Sequence, residues 1–459
     1  MKNIRLATCS LFAFLMLHTS YAQAPVITAA TPVATTVERW GKFEVQLSIT
    51  ANWTNPYDYD EIRVNAVFTD PAIFEREQAR IFRGPTWHFL ALDDEISKPG
   101  DFKSTFIGTT PVVVTRTKDD QLKAWVNRCA HRGALVCRQP RGNARVHTCV
   151  YHQWAYDQEG RLRGVPFRGG LNAQTGMPED FSLEANSLTP VRVAARGGLV
   201  FGTLGAGTES LEDYLGPLML PWIDRIFHQP VEYLGCTRQY AKSNWKLYYE
   251  NVKDPYHASL LHLFHTTFNI YRSNMQGRTI VDPRGLHSII TTTPRENDNT
   301  AAAYKAAGIQ TYQEKVKLND ASMLRVRPEF AEQTSNNIHT LFPSTVIQQI
   351  HNTLAVRQVL PKAVDEFELV FHFFGYRDDD PDLRALRYRQ ANLAGPAGYI
   401  SMEDTEATEL VQRGVSASPH GDASYLGMGD EARDRQTSLI TEHMIRSFWG
   451  GYRGLMGWA

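Results

Sequence analysis

The chain has 459 residues with 42% hydrophobic, 21% charged and a formal net charge of −1. Single hydrophobic cores stop growing at roughly 250–300 residues, so this length calls for two or three domains. Lys and Arg (48) nearly balance Asp and Glu (49) and are dispersed, which excludes a nucleic-acid groove or an anionic-membrane patch as the main partner. The odd set of five cysteines, Cys9, Cys129, Cys137, Cys149 and Cys236, argues against a disulfide framework and turns the question to metal ligation.

At the start, Lys2 and Arg5 precede the apolar run Leu6 to Leu17, and Ala22-Gln23-Ala24 has the form of a small-residue cleavage site, which is a secretory-signal pattern. There is no twin arginine, and the run is too short to be a convincing membrane span. Residues 1–36 therefore read as a signal-like or mis-assigned N-terminal extension on a cytoplasmic protein, and residues 24–35, small and Pro-containing, as an unstructured lead. Residues 37–86 are expected to be an N-terminal helical segment packed on the C-terminal domain. Within it Ile73, Phe74, Ala79, Ile81 and Phe82 have amphipathic helical spacing, with Asp70 as N-cap, Pro71 in the first turn and Gly84-Pro85 as the stop. Residues 87–205 carry short β-rich runs such as Pro111 to Thr115 and Val191 to Ala194, the texture of a small all-β unit. Residues 206–459 have longer mixed elements: a helical stretch around Trp245 to Phe268, strands near Thr340 to Leu360 and Glu366 to Tyr376, and a last helix near Glu431 to Tyr452. The fold class is α+β.

Cys129-Ala130-His131 and Cys149-Val150-Tyr151-His152 lie in the β-rich unit as C-x-H followed by C-x-x-H. Two loops that each offer one thiolate and one imidazole can hold two irons asymmetrically. In a Rieske [2Fe–2S] centre Cys129 and Cys149 bind one iron and His131 and His152 the other, and the imidazoles raise the potential. A tetrahedral zinc site is the alternative, but zinc sites usually pair Cys with Cys and His with His. Gly133, Gly160 and Gly164 permit tight turns around the ligands, whereas Cys137 and Cys236 read as small buried apolar residues.

A second constellation follows in Glu250-Asn251-Val252-Lys253-Asp254-Pro255-Tyr256-His257-Ala258-Ser259-Leu260-Leu261-His262. Asp254 and His257 share a helical face. His262 lies five residues beyond His257, which an ideal helix would turn about 140° away, so both reach one metal only if the helix bends or ends there. On spacing alone His265 competes with His262, and a core or surface role for these histidines remains open. A third ligand must come from elsewhere, and the candidate stretch runs from Gly395 into the adjacent acids Glu403 and Asp404. Two histidines and a carboxylate make a facial triad that leaves one side of Fe(II) open to dioxygen and substrate.

These residues resemble the large (alpha) subunits of Rieske non-haem iron aromatic-ring-hydroxylating oxygenases, from about residue 55 to the end. The resemblance implies an all-β Rieske domain (87–205) and a catalytic domain (206–459) with an antiparallel sheet covered by helices, of helix-grip type. It puts the cluster on Cys129, His131, Cys149 and His152, the mononuclear iron on His257, His262 and Asp404, and makes Asp254 an electron-transfer bridge from His152 of a neighbouring subunit to His257. It further implies a homotrimer or three alpha with three beta subunits. Electrons would come from NAD(P)H through a separate reductase, with or without a ferredoxin. ENVKDPYHASLLHLF, LAVRQVLPK and GPAGYISMED most resemble the branch acting on terephthalate, anthranilate and salicylate, which implies hydroxylation, chiefly cis-dihydroxylation, of an aromatic acid; monohydroxylation or O-demethylation is the alternative within the superfamily. A plain Rieske electron carrier would leave some 250 C-terminal residues unexplained.

Arg357 lies in the apolar strand-like run Thr353 to Leu360, where an inward guanidinium needs an anion, and a substrate carboxylate could supply it. An edge-strand Arg or an internal ion pair is the other reading. One such Arg suits a monocarboxylate; a dicarboxylate needs a second cation, for which Arg433, Arg435 and Arg446 are available.

Overall fold

A computed structural model describes residues 26–32, 45–50, 65–172, 174–293, 300–330, 334–396, 398–417, 425–429 and 435–458. Residues 1–25, the signal-like pattern among them, lie outside this set, as does Arg433. Among the described residues no helix is long and apolar enough to cross a membrane.

The unstructured lead expected over 24–35 is corrected: Val26–Pro32 forms a strand paired antiparallel with Val45–Thr50. The second strand also corrects the expectation that 37–86 is a helical segment, since Val45–Thr50 within it is a strand. Both runs are rich in Val, Ile and Thr, whose branched side chains suit a pleated surface and can outweigh the lack of obvious patterning. The helix expected after Asp70 forms over Pro71–Glu77, with the Asp70 carboxylate accepting the Ala72 N–H at 2.7 Å, and continues as a π-turn over Gln78–Phe82. Buried Glu77 ties this segment to the C-terminal half: it pairs with Lys246 Nζ at 2.6 Å and accepts from Trp245 Nε1 at 2.8 Å.

Seven antiparallel strands follow in the spatial order His88–Leu92, Leu199–Thr203, Pro190–Arg196, Leu122–Val126, Thr110–Arg116, Asp101–Ile107, Arg141–Asn143. A smaller sheet of Val146–Thr148, Ala155–Asp157 and Leu162–Gly164 packs beside it. Trp125, Val113, Phe102 and Tyr156 form the core between them, and Cys129, Cys149 and Trp154 belong to the same cluster.

The C-terminal half is built on an eight-stranded antiparallel sheet, ordered Val231–Ala241, Glu366–Tyr376, Thr353–Ala363, Thr345–Ile350, Asn336–Leu341, Ser288–Thr293, Gln276–Val281, Arg435–Gln436. Its long central strands are buried on both faces, so they read as continuous apolar runs rather than alternating ones. One face, through Leu354, Val356, Ile347 and Phe374, packs on the Leu211–Ile226 helix. The other, through Ala355, Val359, Phe371 and Val346, meets Tyr248, Phe448 and Tyr452 of the Trp245–Asn251 and His443–Met456 helices. The period of two then puts Arg357 on the second face, beneath the helix that carries Asn251.

Candidate metal centres and the cavity beside the triad

The cluster candidates sit on two loops built alike. Cys129 N–H donates to Ala134 O at 2.8 Å and Gly133 N–H to Cys129 O at 2.9 Å; Cys149 N–H donates to Trp154 O at 2.9 Å and Gln153 N–H to Cys149 O at 2.9 Å. The fifth residue of each loop is left-handed, Gly133 at φ 79° and Gln153 at φ 56°. Glycine pays no steric penalty there, whereas Gln153 shows that the loop imposes the conformation on a side chain that disfavours it. Gly160 is left-handed as well, while Gly164 is not.

The two thiols are buried at 2% exposure and the imidazoles face outward, with His131 exposed and His152 half-buried. The two imidazole rings lie 4.5 Å apart, and His131 stacks on Trp154 at 4.7 Å with 5° between planes. Tyr156 Oη lies 3.3 Å from Cys129 Sγ and accepts the Ala130 N–H at 3.2 Å. Two buried thiols beneath two adjacent outward imidazoles fit the donor set of an asymmetric [2Fe–2S] cluster. Cys137 is buried as expected. Cys236 is not a core residue: it is half-buried with its Sγ 3.8 Å from Arg141 Nη2, on a strand that faces the β-rich unit.

For the second set, the helical stretch expected over 245–268 is three short helices, Trp245–Asn251, Ala258–Leu261 and Leu263–Thr267. His262 is the break between the last two, with extended backbone at φ −88° and ψ 105°. That break removes the rotation which would otherwise separate His262 from His257. His257, His262 and Asp404 are the one group of three or more potential ligands among the described residues, their donor atoms within 4.8 Å of one another. Asp404 Oδ1 lies 3.3 Å from His257 Nε2 and 3.1 Å from His262 Nε2. Asp404 projects from the Tyr399–Ala417 helix, which packs on the Trp245–Asn251 helix. Two imidazoles and one carboxylate converging at this spacing fit a facial triad.

A cavity opens beside the triad. It is lined by His257, His262, Asp404 and Asn251, by Ile290, Ile338, Ile350 and Ile400, and by Asn336, His265 and Arg357. Arg357 is 4% exposed; its Nε donates to Gln348 Oε1 at 2.6 Å, Nη1 to Tyr248 Oη at 3.0 Å, and the guanidinium lies over the Phe371 ring at 5.1 Å. Neither reading of Arg357 as an edge-strand residue nor as half of an internal ion pair survives: its strand is interior, and no ion pair joins it to a carboxylate among the described residues. Arg446 is committed elsewhere, donating to Leu426 O and Met428 O at 3.2 and 3.1 Å.

Residues 86–175 match the Rieske [2Fe–2S] domain family, and residues 230–454 match the family described as ring hydroxylating alpha subunit (catalytic domain). The anthranilate 1,2-dioxygenase large subunit of Burkholderia cepacia is 61% identical over 393 residues, covering 85% of this chain and 92% of that protein. The chain belongs to the alpha subunits of Rieske aromatic-ring-hydroxylating oxygenases. A terephthalate 1,2-dioxygenase alpha subunit of Comamonas sp. is 43% identical, and the large oxygenase component of a Ralstonia sp. salicylate 5-hydroxylase 37%, each over 85% of this chain and 94% and 93% of theirs. Naphthalene 1,2-dioxygenase from Rhodococcus sp., bound to indole, shares the fold at TM-score 0.69 and 23% identity, covering 85% of this chain and 93% of that one. The oxygenase is accordingly an oxidoreductase that uses a Rieske cluster and a mononuclear iron.

The electrostatics of this oxygenase subunit follow from burial around the triad. Burial alone would pull His257 down, but Asp254 and Asp404 outweigh it and hold its pKa at about 10 in the metal-free protein. His262 is raised likewise, burial being outweighed by Asp404 and Glu403, and Asp404 is held well below the usual carboxylate range by the two imidazoles. His265, buried beside His262 with a ring separation of 4.8 Å, is pushed well below its ordinary value by burial and is neutral.

Three supporting residues take roles that the sequence did not assign. Glu403 is not a rival to Asp404: its Oε2 lies 2.8 Å from His262 Nδ1, so it orients that ring. Asn251 Nδ2 donates to Asp404 Oδ1 at 3.1 Å. Buried Lys253 donates to Thr340 Oγ1 at 2.7 Å and Ser288 Oγ at 2.9 Å, pinning the turn between Asn251 and Asp254 to the sheet. Glu403 was legible as the acid adjacent to the candidate ligand Asp404; Asn251 and Lys253 carry no signal apart from their place in the run. Asp254 combines two roles: Oδ1 accepts the N–H groups of Tyr256 and His257 at 2.8 and 3.3 Å, as a helix-start carboxylate does, and Oδ2 lies 3.5 Å from His257 Nδ1.

Proposed function

We propose that this alpha subunit is the terminal oxygenase for an aromatic monocarboxylate, with anthranilate (2-aminobenzoate) the foremost candidate, and that it cis-dihydroxylates the ring. The observation that carries the reading is Arg357, a buried guanidinium whose hydrogen-bond partners among the described residues, Gln348 and Tyr248, are neutral, and which lines the same cavity as the His257, His262 and Asp404 triad. A planar guanidinium is suited to bidentate capture of a carboxylate, and the isoleucines around it suit an aromatic ring. The likeness to the Burkholderia cepacia anthranilate enzyme supports the choice of acid.

In this reading Cys129, Cys149, His131 and His152 hold the [2Fe–2S] cluster and His257, His262 and Asp404 hold the mononuclear iron, within the β-rich unit of 87–205 and the α+β unit of 206–459. When bound, the cluster supplies electrons singly and the iron activates dioxygen. The chain's own part is to clamp the acid with Arg357, keep water from the ring with Ile290, Ile338, Ile350 and Ile400, and hold the ligand imidazoles through Asp254 and Glu403. Asp254 also bridges His257 to the cluster histidine His152 of a neighbouring subunit, so that the working unit is an oligomer, a homotrimer or three alpha with three beta subunits. The exposed His131 and half-buried His152 leave the imidazole side of the cluster available to that neighbour. A reductase drawing on NAD(P)H, with or without a ferredoxin, supplies electrons, in the cytoplasm where such carriers and iron–sulfur assembly reside.

The test is turnover of a panel of substituted benzoates with a surrogate reductase, product identification and oxygen-18 incorporation. Dihydroxylated product from 2-aminobenzoate with both oxygen atoms from O2 is expected. A fully metallated protein that oxygenates no aromatic acid refutes the reading, and a single incorporated oxygen converts it to a monohydroxylase.

A further inference from the structure

Asn336 lies at the start of the Asn336–Leu341 strand, 3% exposed, and lines the cavity. Its Nδ2 donates to Ile270 O at 2.7 Å and lies 3.0 Å from Thr292 Oγ1 and 3.2 Å from Ser335 Oγ. A backbone carbonyl only accepts, so turning the amide end for end would set two acceptors against each other at Ile270. Oδ1 is therefore fixed on the opposite side of the amide, where it is buried and has no hydrogen-bond partner among the described residues. An acceptor left dry costs folding free energy, and its retention in a residue that lines the cavity points to a ligand that brings the donor.

We infer that Asn336 Oδ1 accepts an N–H from a ring amine of the substrate and selects an ortho-aminobenzoate over benzoates that lack a donor. The inference rests on the aromatic-acid reading and sharpens it. An ortho amine has two N–H bonds: one turns to its own carboxylate, which Arg357 holds, and the other is free for Oδ1. The single O–H of an ortho-hydroxybenzoate is taken by its own carboxylate, so it serves Oδ1 less well. A pocket built to bond a substrate N–H discriminates through the group it leaves unpaired, which an apolar wall cannot do.

Equilibrium binding to the oxygen-free holoenzyme tests this, with 2-aminobenzoate, 2-methylbenzoate, benzoate and salicylate, on the natural protein and on Asn336→Leu. The methyl group matches the amine in size without a donor, so the natural protein should bind the amine tighter than 2-methylbenzoate by about 10–100-fold. In Asn336→Leu that ratio should fall to within about threefold, through loss of amine affinity, with 2-methylbenzoate binding retained. Equal affinity of the natural protein for the amine and its methyl isostere overturns the inference, whether or not the variant folds, and leaves the acid reading standing. An unchanged ratio in a folded Asn336→Leu overturns it too. Failure of all four acids to bind overturns the acid reading itself.

Discussion

Replacing Arg357 by Met removes the one arginine or lysine among the described residues that line the cavity, while keeping much of the side-chain volume. The guanidinium is 4% exposed and bonded to Gln348 and Tyr248, both neutral, so the substrate-free protein holds a desolvated charge with no ion-pair partner among the described residues. Such a charge destabilises the fold, and its removal can gain about 1–4 kcal/mol, offset by about 1–3 kcal/mol for leaving Gln348 and Tyr248 unbonded. The melting temperature of substrate-free Arg357→Met should therefore move by only a few degrees, about 2–4 °C per kcal/mol. Substrate recognition behaves differently, because breaking one half of a buried charge pair costs about 3–5 kcal/mol. For an aromatic acid kcat/KM should fall by about a hundredfold or more, with KM rising at least about tenfold. Steady-state kinetics and thermal melts with and without saturating acid check this: the acid should raise the melting temperature of the natural protein and not of the variant. Cluster and mononuclear iron should be retained in both. Unchanged KM in a fully metallated variant refutes the carboxylate clamp.

The choice between His262 and His265 is tested by iron content: His262→Ala should lose the mononuclear iron and keep the cluster absorbance, whereas His265→Ala should keep both. Asp254→Asn keeps an oxygen able to accept from Tyr256 N and His257 N but removes the charge facing His257 Nδ1. It should retain its metals and slow reoxidation of a pre-reduced cluster by O2 plus substrate by about 10–100-fold in stopped flow; an unaltered rate excludes the bridge. Iron uptake by metal-free protein should tighten as pH rises. The folded pKa of His257 is raised from 6.5 to about 10, so between those values the imidazole is protonated in the folded chain and must release its proton to bind Fe(II). The same shift stabilises metal-free protein below pH 6.5 and is lost as pH rises through about 10, so its denaturant midpoint should fall across that window. Anaerobic titration with proton release measured in weak buffer reads the first effect, and a pH-independent affinity contradicts it.

Much of the fold was legible because its signals are local. Asp70-Pro71 marks a helix start whatever surrounds it, and the Thr353–Ala363 and Glu366–Tyr376 strands are long β-prone runs that need no partner to be recognised. The Val26–Pro32 strand was missed because a strand exists only through its pairing, here with Val45–Thr50, which no short window contains. The final helix begins at His443, some dozen residues after the expected start near Glu431. The candidate cluster residues stand out for the same local reason, since each half of that constellation is a single loop.

The sequence by itself determined that two loops each bring one thiol and one imidazole, that two histidines and a carboxylate recur downstream, and that Arg357 sits in an apolar run. Only the tertiary structure decided how these meet. The backbone break at His262 turns its ring toward His257 and Asp404, which a periodic helix would forbid. Packing of the Tyr399–Ala417 helix brings an acid from 142 positions beyond His262, and gives its neighbour Glu403 to His262 instead. The alternation of a strand buried on both faces carries Arg357 to the cavity and leaves it without an ion-pair partner among the described residues. Spacing along a chain fixes which donors are near one another in a loop; it carries no information about donors that converge by packing, and the oxygenase's second metal centre and its cavity are of that kind.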